Sequence, residues 1–526
     1  MKNEVTYDYV IVGSGFGGSV SALRLAEKGY DVLVIEKGKW YQPQDFPKTN
    51  WNLRKWLWMP ALKWFGIMKI SFFRHVVVLS GTGVGGGSLV YGNTLPIPKA
   101  AFFNTGSWAS LRDWQKDLLP FYQKARKMLG TQKNPRFFDG DRALKQMAEQ
   151  LGRENDFEAT DVAVYFGAPG KKSEDPYFDG KGPERVGCTF CGGCMTGCRV
   201  GAKNTLDKNY LYLAQQLGAQ ILAEHEVIDV KPDCRGYQIT YKSATGIFPK
   251  SLVIKTKGVV FSGGVLGTVK LLLKLKKTSL PNLSDYLGKD IRTNNESLIS
   301  ITNLDKSKEM QQGIAIGSIL HTDENSHLEM VRYAKGSGFW RLSHLPLTHG
   351  KNFAVRIFKM TAKLIKKPID YLKLYTVKDW SQRTAILLFM QTLDSTLSFK
   401  IGANGNLQTK VTEGKKPSAF IPESLKLAQT YAKIVKGKET VFALEPTTGI
   451  PSTAHILGGA VMGDSPKTGV IDAENKVFGY NNLYVCDGSM ISANPGVNPS
   501  LSITAITEHA MSKIPQKADH ADFQYD

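Results

Sequence analysis

The sequence predicts an α/β protein, with a Rossmann-like nucleotide-binding domain and at least one further domain. Three observations predict it. The chain opens on a strand, a glycine loop, a helix and a second strand, in that order. Glycine clusters return at residues 81–93, 263–264 and 458–459, set among apolar runs of strand length. And 526 residues are more than one simple core accommodates.

Residues 7–12, Tyr-Asp-Tyr-Val-Ile-Val, read as a buried strand. Gly13, Gly15 and Gly18 follow with G-x-G-x-x-G spacing. Val20, Leu23 and Ala26 then carry a helical apolar pattern that Gly29 ends. Residues 31–35 are a second apolar strand, and Glu36 stands 18 residues after the third glycine. In such a unit the first glycine makes the turn and the second lets a pyrophosphate reach backbone N–H groups at the helix start. The third lets helix and strand pack. Glu36 accepts from ribose hydroxyls and repels a 2′-phosphate, which disfavours NADP. The next cluster, residues 80–93, contains Gly81, Gly86 and Asn93. Strands expected at 76–79 and 89–91 make it an ordered loop against a cofactor rather than a flexible linker. Residues 258–262 lead into Gly263-Gly264 and a helix over 268–274, a further βα turn. Near the end, His455 opens His-Ile-Leu-Gly-Gly. A strand over 482–485 runs into Asp487 and Gly488, and Gly-Val-Asn-Pro at 496–499 opens a helix over 500–511. Asn498, taken alone, would be an ordinary helix cap.

Composition narrows the function. Apolar residues make up 42% and charged residues 22%, the balance of a soluble globular chain. Lys and Arg number 67 against 47 Asp and Glu, a net charge of +20 that favours an anionic partner. No helix-turn-helix or zinc-finger spacing accompanies it, so nucleic acid is not expected and a membrane surface is the better partner. Met1 to Tyr9 carries no charged-then-apolar leader pattern, and no apolar stretch of about 18 residues suggests a spanning helix. The expected location is cytoplasmic, peripheral on the inner membrane face. Six cysteines at this length do not indicate a secreted disulfide scaffold.

Two segments suit a lipid surface. Residues 51–65 set Trp51, Trp56, Trp58 and Trp64 beside Arg54, Lys55 and Lys63. Over 353–367, Phe353, Ile357, Met360 and Leu364 form one helical stripe, with Arg356, Lys359, Lys363 and Lys366 on the adjacent face. Pro368 ends or bends this helix. Stripes of this kind are more often core. Combined with the charge, both point to membrane contact and to a substrate drawn from a bilayer.

Taken together, the opening unit, the 81–93 segment, Gly263-Gly264 and the C-terminal His-x-x-Gly-Gly, Asp-Gly and Gly-Val-Asn-Pro motifs resemble the glucose–methanol–choline (GMC) oxidoreductases. The resemblance runs from residue 7 to about residue 511. The branch most similar is that of the bacterial cholesterol oxidases, through Asn-Leu-Tyr-Val-Cys-Asp-Gly-Ser at 482–489 and the Gly-Val-Asn-Pro after it. The resemblance implies FAD, held through Gly13, Gly15, Gly18, Glu36, Gly81, Gly86, Asn93, Val227, Gly263, Asp487, Gly488 and Pro499. It implies an FAD domain made of residues 1–45, 76–100, 185–295 and 455–515. Interleaved with it would be a substrate domain of residues 101–184 and 296–454, built on an antiparallel β-sheet with helices, and a lid or membrane-contact segment at 46–75.

The reaction so implied is oxidation of a hydrophobic alcohol, a 3-hydroxysteroid or similar lipid alcohol, by hydride transfer to flavin N5. Oxygen or a carrier would take the electrons. His455 and Asn498 would face the flavin, His455 taking the hydroxyl proton and Asn498 donating to the substrate oxygen. In the family a glutamate on a substrate-domain strand moves the sterol double bond after oxidation. Ser-His-Leu-Glu-Met-Val-Arg-Tyr at 326–333 is the best local match and makes Glu329 the candidate. His327 shares its strand face.

Cys188, Cys191, Cys194 and Cys198 depart from the family pattern. Their C-x2-C-x2-C-x3-C spacing is that of a bacterial ferredoxin run, with Arg199 where proline is usual. They are candidate iron–sulfur ligands, set against a structural-thiol reading. With a cluster, the chain would be a long-chain alcohol dehydrogenase passing electrons to a quinone or carrier. A second alternative is a flavin-binding lipid isomerase without net redox, which the pairing of His455 with Asn498 argues against.

Overall fold

The computed structural model describes residues 6–304, 308–392, 395–414 and 417–518; residues 1–5, at the start of the segment read for a leader, lie outside them. Two seven-stranded sheets organise the chain. The first is parallel at its centre, with Gln220–Leu222, Val32–Ile35, Thr6–Val12, Ser251–Phe261 and Leu483–Val485 side by side. An antiparallel pair, Gly236–Ser243 and His225–Asp233, extends the first part of Ser251–Phe261. The central strands are unbroken apolar runs because a parallel sheet is covered on both faces. Helix Phe16–Glu27 packs against Tyr210–Gln216 and Ser500–Ser512. Glycine permits this approach: a Cβ on Gly17 would stand 1.7 Å from the Cys486 carbonyl oxygen. One on Gly18 would stand 2.1 Å from that of Gly13.

The second sheet is antiparallel, in the order His344–Pro346, Gly437–Phe442, Ser297–Asn303, Thr384–Gln391, Ser326–Val331, Ile316–His321 and Phe157–Ala159. Its residues alternate with the period of two. Ile299, Ile301, Leu328, Met330, Leu387 and Phe389 join one core with helices Asp139–Gln150 and Pro422–Ile434. Leu298, Val331, Ile386 and Leu388 face the other way, toward Trp56 and Trp340. That second face lines the site.

Four expectations change. Helix Trp114–Met128, placed by the sequence in the substrate domain, packs on Ser500–Ser512. Its Trp114, Leu118 and Tyr122 share one core with Val10 and Ile11 of the nucleotide sheet. The Tyr122 hydroxyl donates to Ser502 Oγ at 2.7 Å and ties the two helices together. Residues 89–91 are not a strand, because left-handed φ at Gly85 and Gly86 coils Gly86–Leu89 into a 3-10 turn. In the tryptophan-rich segment, Trp56 and Trp58 are buried, Trp56 edge-on to Trp340 with ring centroids 5.3 Å apart. Finally, Arg356, expected on the solvent face of helix Phe353–Lys366, is buried. It donates to the carbonyls of Gly350, Pro446 and Thr447. Among the described residues no helix is long and apolar enough to cross a membrane.

Candidate active site

A cavity of about 640 Å³ is lined from both sheets. Gly13, Gly15, Glu36, Gly81, Gly86, Val227 and Gly263 line one part of it, and Asp487, Gly488 and Pro499 continue the wall. Glu36 holds the loops in place. Its carboxylate accepts from Ser14 N–H at 3.1 Å, the Ser14 hydroxyl at 2.9 Å and Gly38 N–H at 2.9 Å. Ser14 Oγ in turn accepts from Gly85 N–H at 3.1 Å, so the first glycine loop is laced to the second. A Cβ on Gly86 would stand 2.7 Å from Gly15 Cα, whereas around a Cβ on Gly15 no described atom lies within 4 Å. The result is a cradle walled by backbone, open at Gly15, at the start of helix Phe16–Glu27 where the helix dipole favours negative charge. A dinucleotide such as FAD fits that donor set.

Two of the residues expected to touch the cofactor stand apart from the cavity. Gly18 serves the helix–strand contact already described. Asn93 is fully buried behind the wall, while its neighbours Gly92 and Thr94 line it. Asp487 is on the wall; burial pushes its carboxyl up, against donors from Ser489 and Thr268 that pull it down.

His455, Asn498 and Glu296 line the same cavity. Glu296 precedes strand Ser297–Asn303 and stands in no recognisable sequence motif. Its carboxylate stands 2.6 Å from His455 Nδ1 and accepts from the Thr453 hydroxyl at 2.8 Å and Ala454 N–H at 2.9 Å. Burial would lower the His455 pKa, but the carboxylate outweighs it and holds the imidazole above its ordinary value. Burial would likewise raise Glu296, and His455 with the other two donors holds it below the usual carboxylate range. With Nδ1 committed to Glu296, His455 turns Nε2 toward Asn498, whose Nδ2 is 3.5 Å away. Asn498 Oδ1 is buried and has no hydrogen-bond partner among the described residues. Beyond this polar end the wall is apolar: Leu298, Val331, Ile386, Leu388 and Phe442.

Glu329 does not line this cavity. It lies on Ser326–Val331, completely buried, and lines a second cavity of about 180 Å³ together with His327, Gly496 and Val497. The segment that carries Asn498 is therefore the partition between the two.

The four cysteines lie on one loop, residues 188–198. Among the described residues no three His, Cys, Asp or Glu side chains come together so as to hold a metal ion. Cys188 and Cys194 are buried in an apolar cluster with Val162, Val164 and Ile314, and Cys191 is exposed. Burial pushes the Cys194 thiol up to about 11 and Cys188 further in the same direction, so both stay protonated. The loop packs behind the cavity. Lys203, fully buried, donates to the carbonyls of Cys194, Leu89 and Tyr91, and Met195 reaches the cavity wall.

Comparison with known proteins adds a family. Residues 183–278 and 415–507 match the GMC oxidoreductase family, and residues 11–39 match the NAD(P)-binding Rossmann-like domain. The chain is 43% identical to a cholesterol oxidase of Acinetobacter baumannii over 98% of its own length and 95% of that protein's. It is 41% identical to a cholesterol oxidase of Mycobacterium tuberculosis, over 98% and 92%. A long-chain-alcohol oxidase of Arabidopsis thaliana is 25% identical over 94% of this chain and 66% of the plant protein. In fold it resembles the crystal structure of pyridoxine 4-oxidase from Mesorbium loti, with a TM-score of 0.61, 14% identity and coverage of 96% and 98%.

Proposed function

The chain belongs to the GMC oxidoreductase family and is an FAD-dependent enzyme; from that premise we propose that it oxidises a 3-hydroxysteroid or similarly hydrophobic alcohol, with oxygen as the electron acceptor. One observation carries this reading. A single cavity joins the glycine cradle, the His455–Glu296 pair and an aliphatic wall. Bound FAD supplies the hydride acceptor. His455, neutral with its Nδ1 proton on Glu296, offers the Nε2 lone pair to the substrate hydroxyl and takes its proton. Glu296 stabilises the imidazolium so formed. Asn498 donates from Nδ2 to the substrate oxygen and fixes the carbinol carbon. Leu298, Val331, Ile386, Leu388 and Phe442 take up a rigid ring skeleton and exclude water. Glu329, whose charge reaches His455 and helps hold that imidazole up from behind the wall, is the proposed base for moving a ring double bond next to the new carbonyl.

The test is anaerobic spectroscopy of the holoenzyme. A 3-hydroxysteroid bleaches the oxidised-flavin band and air restores it. Bleaching by small polar alcohols but not by sterols would sink the substrate class. Failure of air to restore the band would sink oxygen as acceptor.

The same reading seats the enzyme on an anionic bilayer. Helix Phe353–Lys366 and helix Pro368–Thr376 expose Phe358 (75%), Ile365 (72%), Ile369 (65%) and Leu372 (63%). Lys359, Lys366, Lys367 and Lys373 stand among them. Leu342 is exposed two residues from Trp340 and His344, which line the cavity. An apolar strip with cations beside it, on a chain of charge +20, matches a lipid interface. Vesicles containing phosphatidylserine sediment the protein, and Phe358→Asp releases it. Equal sedimentation of that variant would exclude this surface.

A further inference from the structure

The second cavity holds buried polar groups that the oxidation does not use. Glu329 is completely buried, and neither carboxylate oxygen has a hydrogen-bond partner among the described residues. His327 Nε2 lies 3.6 Å from Glu329 Oε1, beyond direct hydrogen-bond reach, and is likewise unpartnered. His327 and His321 face each other across paired strands, with ring centroids 6.1 Å apart. His321 Nε2 reaches Glu158 Oε1 at 3.3 Å, and the Glu158 side chain is half exposed. All four residues line the one cavity, whose mouth carries Lys99, Asp161 and Glu324 as further charges. The volume holds several water molecules, and buried polar atoms of this kind are normally met by water.

We infer that this cavity is a water-filled proton path by which Glu329 exchanges its proton with solvent through His327, His321 and Glu158, without opening the substrate cavity. The inference rests on the reading above that Glu329 carries substrate protons. In that step a carboxylate oxygen of Glu329 removes a proton from the carbon between the new carbonyl and the double bond. The C–H electron pair enters a dienolate. The Glu329 O–H bond then breaks as a C–H bond forms at the far end of the dienolate. The step involves no oxidant and no net loss of charge. A sealed carboxyl returns the same proton. A carboxyl in contact with cavity water passes that proton to His327 and receives another. Burial holds the His321 imidazole below its ordinary value, against the pull of Glu158, so it rests neutral and able to accept. The gaps are 3.6 Å from Glu329 to His327, 6.1 Å between the two imidazole centroids and 3.3 Å from His321 to Glu158, whose half-exposed side chain meets solvent.

The test runs holoenzyme with a 3-hydroxysteroid in D2O, at short times, and reads deuterium at the far-end carbon of the enone by mass spectrometry. Wild type labels most of its product. His327→Asn, His327→Gln and His321→Asn lose most of that label, with flavin reduction and melting temperature unchanged. Wild-type product without label overturns the path, as do histidine variants that label as wild type does. Glu329→Gln separates the two readings. If it still moves the double bond, the role given to Glu329 falls and the path with it. If it does not, and the histidine variants still label fully, only the path falls.

Discussion

The nucleotide half and the substrate half each bury carboxylates and treat them in opposite ways. Glu36 receives three donors from its own loops, two of them backbone N–H groups. Glu329, equally far from solvent, receives none from the described residues. Glu296 stands between them, satisfied mainly by another titratable group. The difference separates two uses of a buried charge. A fully satisfied carboxylate rigidifies the wall around it. An unsatisfied one is retained at a cost of about 1–3 kcal/mol, and what it gains is chemistry with water or substrate.

The comparison breaks most visibly at the glycines. Gly17→Ala drives a Cβ into the Cys486 backbone and should abolish the folded protein. Gly15→Ala adds the same atom to open space, so the chain should fold, melt as the apoprotein does, and purify without flavin. Full flavin content in that variant would mean that the cradle is not the cofactor's seat. At the catalytic end, His455→Ala should keep its flavin and lose about 10²–10⁴-fold in the rate of flavin reduction, the usual worth of a positioned base. Glu296→Gln should act through pH. Neutral His455 is the active form, so the rate rises with pH through a pKa held above the ordinary histidine value. Removing the carboxylate leaves burial, which lowers that pKa, opposed only by the smaller pull of Glu329, and the acid limb should move to lower pH. An unmoved limb would exclude Glu296 as the partner. The pair also ties stability to pH: its contribution is lost as pH rises through the raised His455 pKa, and as pH falls through the lowered Glu296 pKa. The smallest effect tests the opening contrast directly. Glu36→Leu should lower stability by about 1–3 kcal/mol in thermal melts, and Glu329→Leu, which gives up only cavity water, should change it less.

How much of this was legible depended on sequence distance. Gly13, Gly15, Glu36 and the strands around them could be read because one local unit sets their spacing. His455 and Asn498 could be read from short motifs. Glu296 could not: Asn-Asn-Glu-Ser at 294–297 forms no recognisable motif, and its partner His455 lies 159 residues away. An acid directly before an alternating strand was the one available signal. The cysteine spacing fixes intervals along the chain and not the directions of side chains; two of the thiols turn into an apolar cluster. The stripe on helix Phe353–Lys366 was real, but burial of Arg356 rotated its exposed face to Phe358 and Ile365. Which strands of the antiparallel sheet are neighbours had no local signature at all.

Leu483–Val485 completes the parallel sheet beside Val259, and the helix that follows is buried along nearly its whole length. During synthesis, the groove for that strand is therefore made more than two hundred residues before the strand that fills it. A growing chain carries an unpaired apolar sheet edge until residues 483–485 are made, the interval in which such edges invite aggregation. A chain cut short before residue 483 would retain the opening glycine motif and lack Asp487, Gly488 and Pro499, which complete the cavity wall.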